Sequence, residues 1–396
     1  IAGVMNIQLR QRPGGRAQVT YGKYFSSLED VPEVTGLELG GNGEPVLDAD
    51  GNYVLTTNGK DREVEDGGTL TLTATYGVPI GTTGYLNLTG EYKDRNPTNR
   101  AGYDPRRQFL LVNGAADPRE FTFDRINHRY GDAETEDYNL FFNAGVDLAP
   151  DIELYTFGSY SNREGESAGF YRRANDARNR DFAASTTEFV PFYPEGFLPL
   201  ITSEIEDYSI AGGVRGTASG WNWDISAVYG HNAFDFGVAN TFNTSFGGVL
   251  SQTEFEAGGL RFGQIVINAD AQRTISVDFL QELSLAVGAE YRHENFDIVA
   301  GEPQSYEAGP FAGPPYNAPA GAQVFPGFRP SNEVDASRHS YAIYAELDAD
   351  ISDALTAQVA GRFEDYSDFG STLNAKAAAR FAPVDWAALR GSIATG

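Results

Sequence analysis

Arginine is the side chain best placed to do chemistry in this sequence, and it is concentrated in two stretches. Residues 95–136 hold Arg95, Arg100, Arg106, Arg107, Arg119, Arg125 and Arg129, and residues 164–206 hold Arg172, Arg173, Arg178 and Arg180 beside Tyr171. A guanidinium presents a planar fork of donors that meets a carboxylate or phosphate through two parallel hydrogen bonds. Tyr103, Tyr171, Phe192 and Tyr193 lie in the same stretches and offer flat faces for a planar group. Arg100, Arg106, Arg107, Tyr171, Arg172 and Arg173 are therefore the candidate ligand-binding residues, and the ligand they suit is an anion. The competing expectation is that these arginines pair with nearby acids, here Asp104, Asp117, Asp124, Glu164 and Asp176. Replacing Arg106 and Arg107 with Ala is expected to weaken ligand capture without unfolding the chain.

Other chemistry finds no footing in the sequence. His128, His231, His293 and His339 are far apart and none lies in a zinc-binding spacing. Cysteine is absent, which removes thiolate metal sites and disulfides. No nucleophile elbow and no phosphate loop are present, so no enzyme activity, catalytic residue, metal or cofactor is expected. Asp48-Ala49-Asp50-Gly51 resembles the opening of a calcium loop, but no Glu follows at the required distance and no helix flanks it, so it reads as a hairpin turn. The net charge of −26 argues against nucleic acid as a partner, since that binding rests on neutralising phosphates with Lys and Arg.

The elements that hold the arginine stretches alternate with a period of two. In Asp137–Arg163, Tyr138, Leu140, Phe142, Ala144, Val146 and Leu148 share one parity, and Asn139, Asn143, Gly145 and Asp147 share the other. Each run is about eleven residues, enough to cross a bilayer as a tilted strand, and the two meet at Ala149-Pro150-Asp151. The unit recurs. Expected strands cover 16–25, 69–77, 84–94, 207–217, 221–231, 260–277, 283–299, 338–350, 355–366 and 372–381, with a last one from Trp386. Long loops at 26–68, 95–136, 164–206, 232–259 and 300–337 alternate with tight turns, so every long loop falls at one end. The run 260–277 does not alternate well and its register stays open. This asymmetry implies an all-β, antiparallel transmembrane β-barrel. About 13 strands is odd, whereas single-chain bacterial barrels are even and plugged ones have 22, so the barrel is expected to be incomplete.

The two ends carry a specific likeness. The segment Ile1-Ala2-Gly3-Val4-Met5-Asn6-Ile7-Gln8-Leu9-Arg10 resembles the last plug strand of TonB-dependent outer-membrane receptors, and Arg16–Phe25 is similar to their first barrel strand. Trp386–Ser392 looks like a mid-barrel segment of the same family. The resemblance implies that residues 1–10 end a plug domain and 11–396 form the N-terminal part of a barrel in the outer membrane of a Gram-negative bacterium. It implies a receptor that binds a scarce, large ligand (siderophore-like, cobalamin, haem or oligosaccharide) and imports it with energy transduced by TonB. The TonB complex would act through a plug segment outside this chain. Outer-membrane lipid and lipopolysaccharide would be further partners, and the loop arginines would take an anionic ligand such as a carboxylate siderophore or else lipopolysaccharide phosphates. Two alternatives stay open at this point: a passive porin-like channel, and a soluble secreted β-rich binding protein or adhesin.

Overall fold

The computed structural model describes residues 8–384 and 386–395. They form one antiparallel sheet of 13 strands in which each strand pairs with its neighbours in sequence. In order these are β1 (Gly14–Leu37), β2 (Leu55–Ile80), β3 (Gly84–Arg95), β4 (Glu134–Ala149), β5 (Ile152–Ala168), β6 (Leu200–Ala218), β7 (Trp221–Ala239), β8 (Phe255–Ile275), β9 (Glu282–Ala300), β10 (Val334–Ser352), β11 (Leu355–Tyr366), β12 (Gly370–Val384) and β13 (Ala387–Ala394). The five long connections, 38–54, 96–133, 169–199, 240–254 and 301–333 (loops one to five), all leave the same end of the sheet. At the other end the chain turns over a few residues, as at 81–83 and 219–220.

Register shows what each face meets. Directly opposed residues Val146, Leu154, Val214, Ile225, Ala269, Ala289, Ile343, Phe363 and Leu373 form an unbroken apolar row from β4 to β12. One residue along, on the other face, the row reads Asp147, Glu153, Arg215, Asp224, Asp270, Gly288, Tyr344, Arg362 and Asn374. The apolar face is the exposed one: Leu140 is 61% accessible and Ile343 61%, while inward Asn143 is 4% and Asp137 2%. A water-soluble sandwich would bury the apolar row. Here the outer surface is made for hydrocarbon and the polar face lines a lumen, which excludes the soluble alternative.

Two expectations need correction, and a third falls largely outside the described residues. The strands run further than the alternation: β1 continues to Leu37 and β2 begins at Leu55, well inside the expected loop 26–68. Similarly β6 starts at Leu200 and β7 continues to Ala239. Beyond the hydrocarbon neither face needs to be apolar, so backbone pairing persists after the two-residue pattern has faded. In β8 the poor alternation arises because Val266, between outward Ile265 and Ile267, is buried on the inner face opposite Val228. Third, the expected strand Ile1–Leu9 lies mostly outside the described residues, and Gln8 and Leu9 are not in a strand. The segment that follows lies against the inner wall, where the Asn143 amide donates to the Arg10 carbonyl at 2.9 Å and Gln11 donates to the Tyr85 hydroxyl at 3.2 Å.

Candidate functional site

Loops two to five fold onto one another as a cap with a polar interior. Thr241, Asn243, Thr244 and Ser245 of loop four, Asn179 of loop three and Ser305 of loop five are all fully buried. Short β-bridges, Arg172 with Phe197 and Arg180 with Pro191, pin loop three back on itself. Asn179 donates to the Tyr193 carbonyl at 2.8 Å and accepts from its backbone N–H at 3.0 Å. Phe192, Tyr193, Phe197 and Phe242 pack with centroids 4.6–6.1 Å apart. Phe192 and Tyr193 therefore belong to the cap's own core and are not free to stack on a ligand. Tyr103 is elsewhere, beside Lys60, Asp61 and Arg62 of β2.

The arginines divide by partner. Arg106 grips Asp104 with Nε and Nη2, each at 2.7 Å. Arg119 grips Asp117, Arg178 grips Asp176, and buried Arg125 meets Glu120 at 2.7 Å. Arg100 is drawn away to Asp66 and the Ser26 hydroxyl. The pairs with Asp104, Asp117 and Asp176 are among the local ion pairs of the competing expectation, whereas Glu120 and Asp66 were not among its acids. Asp124 instead accepts from the Ile126 backbone.

Arg172 and Arg173 are different. Arg172 is 6% exposed, yet its hydrogen bonds go only to neutral groups: Nε to the Gln323 side chain at 3.3 Å and Nη1 to the Phe170 carbonyl at 2.8 Å. Arg173 donates to the Arg107 carbonyl at 2.9 Å, and its buried Nε has no partner among the described residues. Neither guanidinium meets a carboxylate within 4.0 Å among those residues. Burial, then the neighbouring cation, lowers the pKa of both: Arg178 acts on Arg172, and Arg106 on Arg173. Four guanidiniums thus share one neighbourhood with two aspartates, Asp104 and Asp176. Burial raises the Asp104 pKa, but hydrogen bonds from Arg106 and Asn127 outweigh it and hold the carboxyl well below its usual range.

Aromatic rings border this basin. His128 stacks on Tyr130 at 5.6 Å and meets Phe170 at 6.3 Å and Tyr171 at 6.0 Å. Tyr171 spends its hydroxyl on the Glu195 carbonyl, leaving only its ring. Tyr130 and Phe170 are exposed, at 47% and 62%. Burial, then Arg106 and Arg172, lower the His128 pKa, against the pull of Asp104.

Of the six candidates, the structure gathers Arg106, Tyr171, Arg172 and Arg173. Arg107 contributes its carbonyl to Arg173 and Asn175, while its side chain lies beside Tyr53, and Arg100 is remote. His128, Tyr130, Phe170 and Arg178 are the additions. Single aromatic residues in loops carry no spacing signal, so only the fold shows them. A cavity of 1320 Å³ lies elsewhere, lined by Glu136, Glu164, Glu204, Asp235 and Glu256 among others, and its charge suits no anion. The Asp48 turn is the expected hairpin, with Asp48 Oδ1 accepting from the Asp50 and Asn52 backbone and Gly51 at φ 80°.

Residues 155–396 match the family model described as TonB dependent receptor-like, beta-barrel. No curated protein matches the sequence. Among solved structures, the siderophore receptor PirA from Acinetobacter baumannii is similar with TM-score 0.53 and 14% identity, over 98% of this chain and 43% of its own. A mutant of the ferric enterobactin receptor PfeA from Pseudomonas aeruginosa gives 0.51 and 11%, over 83% and 41%. At such identities the likeness is one of fold, and the chain spans less than half the length of either receptor. An inverted apolar and polar pair of faces, loops gathered at one end and the match over residues 155–396 lead to one assignment: the chain belongs to the TonB-dependent receptor β-barrel family.

Proposed function

We propose that this chain supplies barrel wall and ligand-capturing cap to a receptor in the outer membrane of a Gram-negative bacterium, which imports an anionic ligand using energy passed on by TonB. The family is one of transport receptors, so no bond of the ligand is made or broken. The observation that carries the ligand class is Arg172, nearly fully buried with only neutral acceptors, next to Arg173, which is partly buried and likewise bonds only a carbonyl. A buried charge without a counter-ion is costly, and an incoming oxyanion would remove that cost while gaining charge-assisted hydrogen bonds. His128, Tyr130 and Phe170 then flank the anion with flat faces. A siderophore carrying carboxylate or other oxyanion groups fits this description, and of the two similar receptors one is named a siderophore receptor and the other a ferric enterobactin receptor.

In this reading residues 1–10 end the plug, with the Arg10 carbonyl held by Asn143 on the inner wall, and the barrel proper follows from Gln11. The apolar row faces membrane lipid, and the rim above it faces lipopolysaccharide. The test is uptake and equilibrium binding of iron-loaded siderophores by cells and by purified full-length receptor carrying Arg172→Ala with Arg173→Ala. Loss of capture with normal envelope levels supports the proposal. Undiminished capture of every anionic ligand the wild type binds would overturn it.

A further inference from the structure

Arg172 owes its uncancelled charge to one neighbour. Gln323 of loop five is 8% exposed, and its side-chain oxygen takes the Arg172 Nε–H at 3.3 Å. Its amide nitrogen donates to the Arg178 carbonyl at 2.9 Å and the Thr244 hydroxyl at 3.0 Å, and lies 3.3 Å from the Phe242 carbonyl. The orientation is forced: turning the amide over would set N–H against guanidinium and oxygen against two carbonyls. The Gln323 backbone carbonyl is held in turn by the Thr241 hydroxyl at 2.6 Å.

We infer that Gln323 is a positioning residue that satisfies Arg172 with a neutral acceptor, so that Arg172 and Arg173 together present two uncompensated positive charges and the site selects a dianionic group. This rests on the anion-binding reading above and adds its charge number. Arg106 and Arg178 are each already matched by one aspartate, so the surplus in the basin is that of Arg172 and Arg173. A carboxylate at position 323 would serve the Nε–H equally well and would leave a surplus of one. The amide also ties this guanidinium to loops four and five, since its donors reach Arg178 of loop three and Thr244 of loop four.

The experiment is calorimetric titration of the purified full-length receptor with sulfate as the dianion and acetate as the monoanion, in wild type, Arg172→Ala, Gln323→Met, the double variant and Thr241→Val. Wild type is expected to prefer sulfate by ~10-fold or more, in line with loss of one charge-assisted contact. Gln323→Met should weaken sulfate by about the same ~10-fold yet have no further effect once Arg172 is Ala, because it acts through that side chain. Thr241→Val removes the bond to the Gln323 backbone carbonyl but leaves the Gln323 side-chain oxygen on Arg172, and should leave sulfate affinity unchanged. If Gln323→Met weakens sulfate equally in the Arg172→Ala background, or if Thr241→Val mimics it, Gln323 is merely structural and the inference falls. If sulfate is bound no better than acetate, the dianion assignment falls. If Arg172→Ala leaves both affinities intact, it is the anion site itself that is wrong.

Discussion

Two arginines of the basin, each next to an acidic neighbour's domain of influence, would report different things when removed. Arg106→Ala strands Asp104, whose side chain is 3% exposed, without its bidentate partner. The expected result is a local loss of roughly 1–3 kcal/mol, read as a lower melting temperature, before any effect on ligand. Arg172→Ala relieves an unmatched charge, so stability should hold while affinity for an anionic ligand drops by ~10-fold or more. The pairing of Arg106 thus makes it a poorer probe of binding than its place in the sequence suggested. His128 offers a pH test. Its pKa is lowered by burial, so as pH falls through the ordinary histidine range, about 6.5, the unfolded chain takes up its proton before the folded one does. The stability His128 contributes is complete above that range and is lost as pH falls toward the depressed folded value. Between pH 7.5 and 5.5 the wild type should lose more thermal stability than His128→Gln, and parallel curves would refute this.

At the scale of strands, the pleat assigns each substitution its cost. Ile225 and Ile343 belong to the apolar row, and Arg at either position should destabilise, by up to ~2–4 kcal/mol where the position lies at the bilayer midplane, and deplete the folded, heat-modifiable form on gels. On the inner face some glycines make room for rings. A Cβ at Gly288 would lie 2.2 Å from the Tyr344 ring, and one at Gly213 2.7 Å from Tyr155 Cζ. Gly288→Ala should therefore destabilise by roughly 1–3 kcal/mol through overpacking. Combining it with Tyr344→Ala should cost less than the two changes summed, because the ring is the obstacle, and denaturant titration of the four variants measures the difference. Tyr344 also donates to Asp270 at 2.7 Å, and Tyr155 to Asp224 at 2.9 Å, so these tyrosines knit the polar row together.

For the whole molecule, orientation is the property to test, and these 396 residues hold no cysteine of their own to compete with a label. Val249, 82% exposed in loop four, and Ser219, in the tight turn between β6 and β7, lie at opposite ends of the sheet. A membrane-impermeant maleimide should label Val249→Cys in intact cells and Ser219→Cys only after lysis. The reverse pattern would invert the receptor. How much of this was legible in sequence follows from the range of the forces involved. Parity along 138–148 and 355–363 exposed the strands and their two faces because a pleat sends neighbouring side chains to opposite sides whatever the partner strand is. Strand ends at Leu37, Leu200 and Ala239 were missed because, past the lipid, pairing needs only backbone. The arginine stretches marked the site's neighbourhood by composition, and the guanidiniums spent on aspartates pair two residues away, Arg106 with Asp104, Arg119 with Asp117 and Arg178 with Asp176, but what meets the unmatched ones depends on loops meeting across long sequence separations. Arg172 meets Gln323 151 residues away, and Asp104 meets Asn127 23 away. Fold class and sidedness were therefore written in local alternation, a property of each strand by itself. The surroundings of the two unmatched guanidiniums and the ring set around His128 were decided only by tertiary packing, because electrostatics and hydrogen bonding act between atoms brought close in space, and local spacing does not encode a contact between separate loops.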